Sequence, residues 1–241
     1  MVLLRNGVLV VLCLATLGFA DCAGSLAGIN NYFYDLVFRL RGPKNPGNSI
    51  VIAAIDEKTL AELGRWPLPR RHYAVLLEKL ASAQAVGIDL IMAEPSPDDA
   101  LLGEAIRKHG RVVLPVYFES AHKVSAPVAE FAAAAVGHIH MEQGIDGVVR
   151  EVFHVIADST AAYPSFSSVL AWQVTGNSVI AGEEAAAAAP ANRLVQKFPH
   201  FINFYGGSRT FPYLSLVDIL AGHYEEDFFA GKTVLVGATA A

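Results

Sequence analysis

Between residues 50 and 118 the chain switches hydrophobic period four times, and few folds accommodate that pattern. Ile50–Ile55 is a continuous apolar run closed by Asp56 and Glu57, residues 73–81 repeat apolar side chains at helical spacing, and residues 85–92 (AVGIDLIM) form a second apolar run that contains Asp89. Asp98 and Asp99 then suit the positive end of a helix running through Ile106, Gly110 stops it, and residues 112–118 are a third apolar run. Strand and helix in strict alternation predict an α/β domain with a central, mostly parallel sheet flanked by helices. Farther on, residues 148–156 alternate like a half-exposed strand, 164–174 read as helix, 201–204 as a short strand and 233–236 as a buried one. Asp146-Gly147 marks a tight reversal ahead of Arg150, and the Ala-rich residues 185–191 read as a loop or helix edge.

The N-terminus obeys a different rule. Residues 8–20 (VLVVLCLATLGFA) are apolar behind the single basic Arg5, and small residues carry the stretch on to Ile29, interrupted only by Asp21. Residues 1–29 are expected to be an N-terminal transmembrane helix, with a cleaved signal segment as the alternative. Arg5 on the short side favours a body outside the cytoplasm, although Arg39, Arg41 and Lys44 weaken the asymmetry. An amphipathic helix over residues 30–40 follows, in which Asp35 precedes Arg39 by four positions, the favourable order for an ion pair. Residues 30–241 are expected to be one domain. Because the chain ends directly after its last strand, that domain is expected to be truncated at its C-terminal edge.

Composition narrows the function. Lys and Arg number 18 against 23 Asp and Glu, a formal charge of −5, which argues against a nucleic-acid partner. Both cysteines, Cys13 and Cys22, lie in the apolar N-terminal segment, so the body has no thiolate for metal or redox chemistry. Asp56 and Asp89 fall at or near strand ends, the edge where open α/β sheets place ligands. With Asp98 or Asp99 they could hold a divalent metal, or they could accept bonds from loop amides and pair with Arg65, Arg70 or Arg150. The run Gly64-Arg65-Trp66-Pro67-Leu68-Pro69-Arg70 reads as a ligand-facing loop; its structural alternative is a plug in which Trp66 seals the core edge while Arg65 and Arg70 pair with Asp56, Glu57 or Asp35. His138, His140 and Glu142 alternate as on a strand face and are expected to be solvated or hydrogen-bonded rather than metal ligands. Ser165, Ser167 and Ser168 belong to no nucleophile elbow, and no glycine run forms a phosphate loop.

In order and spacing these pieces resemble the type-two CHASE domain, an extracytoplasmic sensory domain associated with cyclases and histidine kinases. The matching residues are Asp35 to Arg39 with Arg41-Gly42-Pro43, Ile55-Asp56-Glu57, Gly64-Arg65-Trp66-Pro67 with Arg70, and Gly87-Ile88-Asp89 with Glu94-Pro95 and Asp98-Asp99. Asp146-Gly147 with Arg150, Ile202-Asn203-Phe204, and Gly231-Lys232 with residues 234–237 through Gly237 complete the series. The resemblance implies an input domain anchored by one helix and coupled to an output module such as an adenylate or guanylate cyclase, a histidine or serine/threonine kinase, or a diguanylate cyclase. It implies no catalytic residue, metal or cofactor. A cleft lined by Asp56, Arg65, Trp66, Arg70 and Asp89 is expected to take a small-molecule or protein signal, with Asp35, Arg39, Gly64, Pro67, Asp146, Gly147, Arg150 and Gly237 as framework. The small residues Ala23 to Gly28 near the membrane suggest a homodimer. Two alternatives from other classes are a metal-dependent hydrolase using the strand-end aspartates and a scaffold that binds a protein through Trp66.

Overall fold

The computed structural model describes residues 27–120, 123–157, 162–177, 196–225 and 227–240, in two compact units. The expected anchor over residues 1–29 lies almost wholly outside the described residues, as does the Ala-rich 185–191. Among the described residues, no helix is long and apolar enough to cross a membrane.

The smaller unit contains α1 (Ala27–Arg41) together with residues 204–207. Gly42, with φ of 71°, stops the helix and donates its amide to the Phe38 carbonyl at 3.0 Å. The Arg41 guanidinium reaches the Phe204 carbonyl and lies 4.4 Å over the Phe38 ring, which meets Phe204 edge-on at 5.7 Å. Asp35 and Arg39 sit one turn apart on α1, as their spacing requires.

The larger unit is built on a seven-stranded sheet, ordered β4-β3-β2-β10-β1-β9, with β5 also on β3. Its members are β1 (Ile50–Ile55), β2 (Ala85–Ile88), β3 (Val112–Ser120), β4 (Lys123–Ser125), β5 (Ala135–His138), β9 (Tyr213–Ser215) and β10 (Thr233–Ala238). Every pairing is parallel except β3 with β4, so the mostly parallel mixed sheet expected from the alternation is present. β10, the last strand of the chain, runs between β1 and β2 in the middle of the sheet.

Side chains alternate between the faces. Val86, Ile88, Val112, Leu114, Val234 and Val236 join Leu76, Leu77, Leu80, Leu102 and Ile106 in the main core. That face carries α2 (Glu57–Leu63), α3 (Arg71–Lys79), α4 (Asp99–His109) and α6 (Leu216–Leu220). Each fully buried Leu or Ile in this layer contributes about 1.5–3 kcal/mol. On the opposite face Ala85 and Val113 pack against Val169 and Leu170 of α5 (Phe166–Thr175). Two glycines make that approach possible. A Cβ on Gly87 would stand 2.7 Å from Leu170 Cδ1, and one on Gly137 only 2.6 Å from the Phe166 backbone.

A second sheet, β7-β6-β8, consists of β6 (Glu151–Ala157), β7 (Ala162–Pro164) and β8 (Gln196–Phe201), all antiparallel. The second and fourth apolar runs form shorter strands than read, β2 ending at Ile88 and β6 beginning at Glu151. The strand expected over 201–204 lies upstream, ending at Phe201, because its partner is Glu151 at the start of β6. The helix α2 was not anticipated. Asp56 caps it instead of only ending β1.

Candidate functional site

At the C-terminal edge of the parallel sheet lies a groove of about 1260 Å³. Its floor is the ends of neighbouring strands. Asp89 follows β2, its amide bonded to the Val236 carbonyl at 2.8 Å, and Gly237 and Ala238 end β10. The walls are the loop from Trp66 to Arg70 and the loop that runs from Leu90 through Glu94 to Asp98. Three of the five residues proposed to touch ligand, Trp66, Arg70 and Asp89, therefore line one groove, and so do Pro67 and Gly237. Asp56 and Arg65 are not in its lining.

The loop of Trp66 leaves α2 at Gly64, with φ of 106°, and contains a cis Trp66–Pro67 peptide. Leu68 is buried, whereas Trp66 is 47% exposed. The plug reading is thus corrected: the indole faces outward, and Leu68 fills the core position. Arg70 is not paired with Asp56, Glu57 or Asp35 either. Its guanidinium donates to the Asp99 carboxylate and to the Glu94 carbonyl, and lies 5.4 Å over the Phe131 ring. Asp99 in turn accepts the Ser96 amide at 2.7 Å. One arginine thus ties both walls of the groove to the start of α4. Arg71 is engaged as well, its amide and guanidinium directed to Asp98 Oδ2 at 3.3 and 3.6 Å.

Asp89 lies beyond its strand, not inside it, since β2 ends at Ile88. Among the described residues its carboxylate meets no donor or cation. Asp89 is exposed to solvent, yet the walls packed beside it partly desolvate the carboxyl and push its pKa above the ordinary value.

Asp56 has a different task. Its Oδ1 accepts the Thr59 amide at 2.9 Å, the Thr59 hydroxyl at 2.8 Å and the Ser215 hydroxyl at 2.8 Å. It holds α2 against the end of β9, two strands from Asp89 across β10, about 10 Å at ordinary strand spacing. Arg65 is exposed. Of the framework residues, Asp146 and Arg150 meet directly: Nη1 donates to Oδ1 at 2.9 Å and Nη2 to Oδ2 at 2.7 Å, with Arg150 itself buried. Gly147, at φ 77°, makes the reversal between them.

A second polar cluster joins the two sheets. His138 is 2% exposed, so of the two expected states, solvated or hydrogen-bonded, it is the bonded one, and on one nitrogen: Nδ1 accepts the His140 amide at 3.3 Å, while Nε2 has no hydrogen-bond partner. Nearby, His154 Nδ1 lies 3.2 Å from Ser168 Oγ, which receives a 2.8 Å bond from Ser165 Oγ, the N-cap of α5. The signal for this burial was available in Gly137, whose missing side chain brings Ser165 and α5 down onto the end of β5. Among the described residues, no three His, Cys, Asp or Glu side chains are grouped to hold a metal ion.

The family model of the CHASE2 domain matches residues 8–241. No curated protein and no solved structure matches the chain. The match covers nearly the whole sequence, including the residues that build the groove, and the chain belongs to the CHASE2 family, whose members are extracellular sensory domains of receptors.

Proposed function

We propose that this chain is the signal-input domain of a bacterial transmembrane receptor, and that the groove between Trp66 and Asp89 receives the signal molecule. The observation that carries this reading is the groove itself, at the strand C-termini of a domain from a sensory family. Residues 1–29 anchor the domain, the body is extracytoplasmic, and the output is a cyclase or kinase module of the receptor. In this reading the chain performs no catalysis. Occupancy shifts the receptor only so far as the ligand binds one of its states better than the other.

The homodimer belongs to the same reading. Ile29, Phe33, Val37 and Leu40 recur at spacings of four, four and three along α1, and all are exposed. Such a seam suits the same helix of a second copy. The hydrolase alternative needs two carboxylates on one metal, whereas Asp56 is occupied as a cap and Asp99 by Arg70.

The test has two arms. Alkaline phosphatase fused after residue 241 should be active only if the body is exported, and an inactive fusion overturns the topology. A thermal-shift screen of the purified chain against small molecules should return ligands whose effect is lost in Trp66→Ala; ligands indifferent to that change overturn the groove assignment.

A further inference from the structure

This inference rests on the groove as ligand site and adds the charge of what binds there. We propose that the groove takes a small organic cation with an apolar body, its ammonium group held by the Asp89 carboxylate and flanked by the Trp66 indole.

Charge accounting comes first. The cations that line the groove are Arg70 and Arg71, and both are engaged, Arg70 by Asp99 and the Glu94 carbonyl, Arg71 by Asp98. An incoming anion would have to compete with Asp99 and the Glu94 carbonyl for Arg70, and would meet Asp98 beside the more exposed Arg71. Asp89 has no partner among the described residues, and Glu94, Asp98 and Glu119 bring the lining to four carboxylates against the two guanidinium groups. The bare groove is therefore an uncompensated negative site.

Desolvation sharpens the preference. The wall raises the cost of the Asp89 charge, and a ligand cation lowers it again by supplying the missing counter-charge. Hydration disfavours the same role for a small inorganic ion, because one carboxylate cannot replace its water shell and no three-ligand group stands among the described residues.

The remaining lining suits carbon. Trp66 and Ile91, 47% and 53% exposed, stand in the groove with Leu68, Leu90 and Met92 behind them. An indole face attracts organic ammonium groups, by about 0.5–2 kcal/mol depending on how dry the contact is. A primary amine and a quaternary ammonium share this chemistry.

The experiment is calorimetric titration of the purified full chain with benzyltrimethylammonium and, separately, with benzenesulfonate. The cation should bind saturably and the sulfonate should not. Asp89→Asn should weaken the cation about tenfold, Trp66→Ala roughly fivefold, and Asp89→Glu should restore most of the loss. No cation binding at millimolar concentration, or equal affinity in Asp89→Asn, overturns the inference. If the sulfonate binds instead and Trp66→Ala weakens it, the cation inference falls while the groove remains the ligand site. If both probes bind and neither variant changes either, the groove assignment falls too.

Discussion

Arg70 and Asp99 form an ion pair with side chains only 12% and 7% exposed, and this pair joins the loop before α3 to the first turn of α4. Removing one partner leaves the other charge in a place built for two. Arg70→Met or Asp99→Leu alone should therefore cost about 3–5 kcal/mol, while the double variant should recover much of that loss. Denaturant unfolding of the four proteins checks it. A double variant whose loss equals the sum of the two single losses would show that the two side chains act independently.

Asp56 links local and tertiary structure through one oxygen. Burial by itself would raise its pKa, but bonds from the Thr59 amide and from the Ser215 and Thr59 hydroxyls outweigh it, and the net shift is downward. A carboxylate held below its unfolded value of 3.8 contributes stability above that pH and loses it as pH falls through the folded value. Asp56→Ala should cost about 1–2 kcal/mol at neutral pH and should remove this part of the acid sensitivity, whereas Asp56→Asn should retain the cap bond from the Thr59 amide. Paired pH-stability curves for the three proteins decide the matter.

His138 gives the opposite kind of pH dependence. Burial first, then the neighbouring His140 and His154, lowers its pKa from 6.5 to about 4. Glu142 lies near this cluster, 3.4 Å from His140. Between those two values the unfolded chain binds a proton that the folded chain refuses, so stability rises with pH across the window and falls as pH drops from 6.5 toward 4. The full effect is about 3 kcal/mol. His138→Leu should flatten that slope; at pH 7 the removal of the unpartnered Nε2 offsets the loss of the Nδ1 bond from the His140 amide. A slope unchanged in His138→Leu would place its origin in another group.

The close seat of α5 depends on Gly137. Any side chain there meets the Phe166 backbone at 2.6 Å, and backbone yields less readily than a side-chain tip. Gly137→Ala should cost about 1–3 kcal/mol, and Gly87→Ala less, because the Leu170 and Phe166 side-chain atoms near it can rotate away. Thermal unfolding of both variants tests the ranking.

Much of this fold was legible because hydrophobic period is a local property. β1 matches its apolar run residue for residue, and α3, α4 and α5 fall where helical spacing placed them. The stop signals at Gly42 and Gly110 work through the left-handed backbone of glycine, a property the residue carries by itself. Chemistry was harder to read. A carboxylate after a strand looks the same in sequence whether it faces a groove, as Asp89 does, or caps the next helix, as Asp56 does; the choice depends on Ser215, 159 residues away.

Strand-helix alternation, the parallel character of the sheet, the reversal at Asp146-Gly147 and the family were all readable along the chain, because each rests on periods, turn chemistry or ordered motifs within short windows. The folded layers alone set β10 in the middle of the sheet, pair Arg70 with Asp99, put Leu68 and not Trp66 in the core, and bury His138 without a partner for Nε2. Those outcomes turn on strand order and on burial among distant neighbours, and no local pattern encodes which partner a charged or aromatic side chain meets once the layers close.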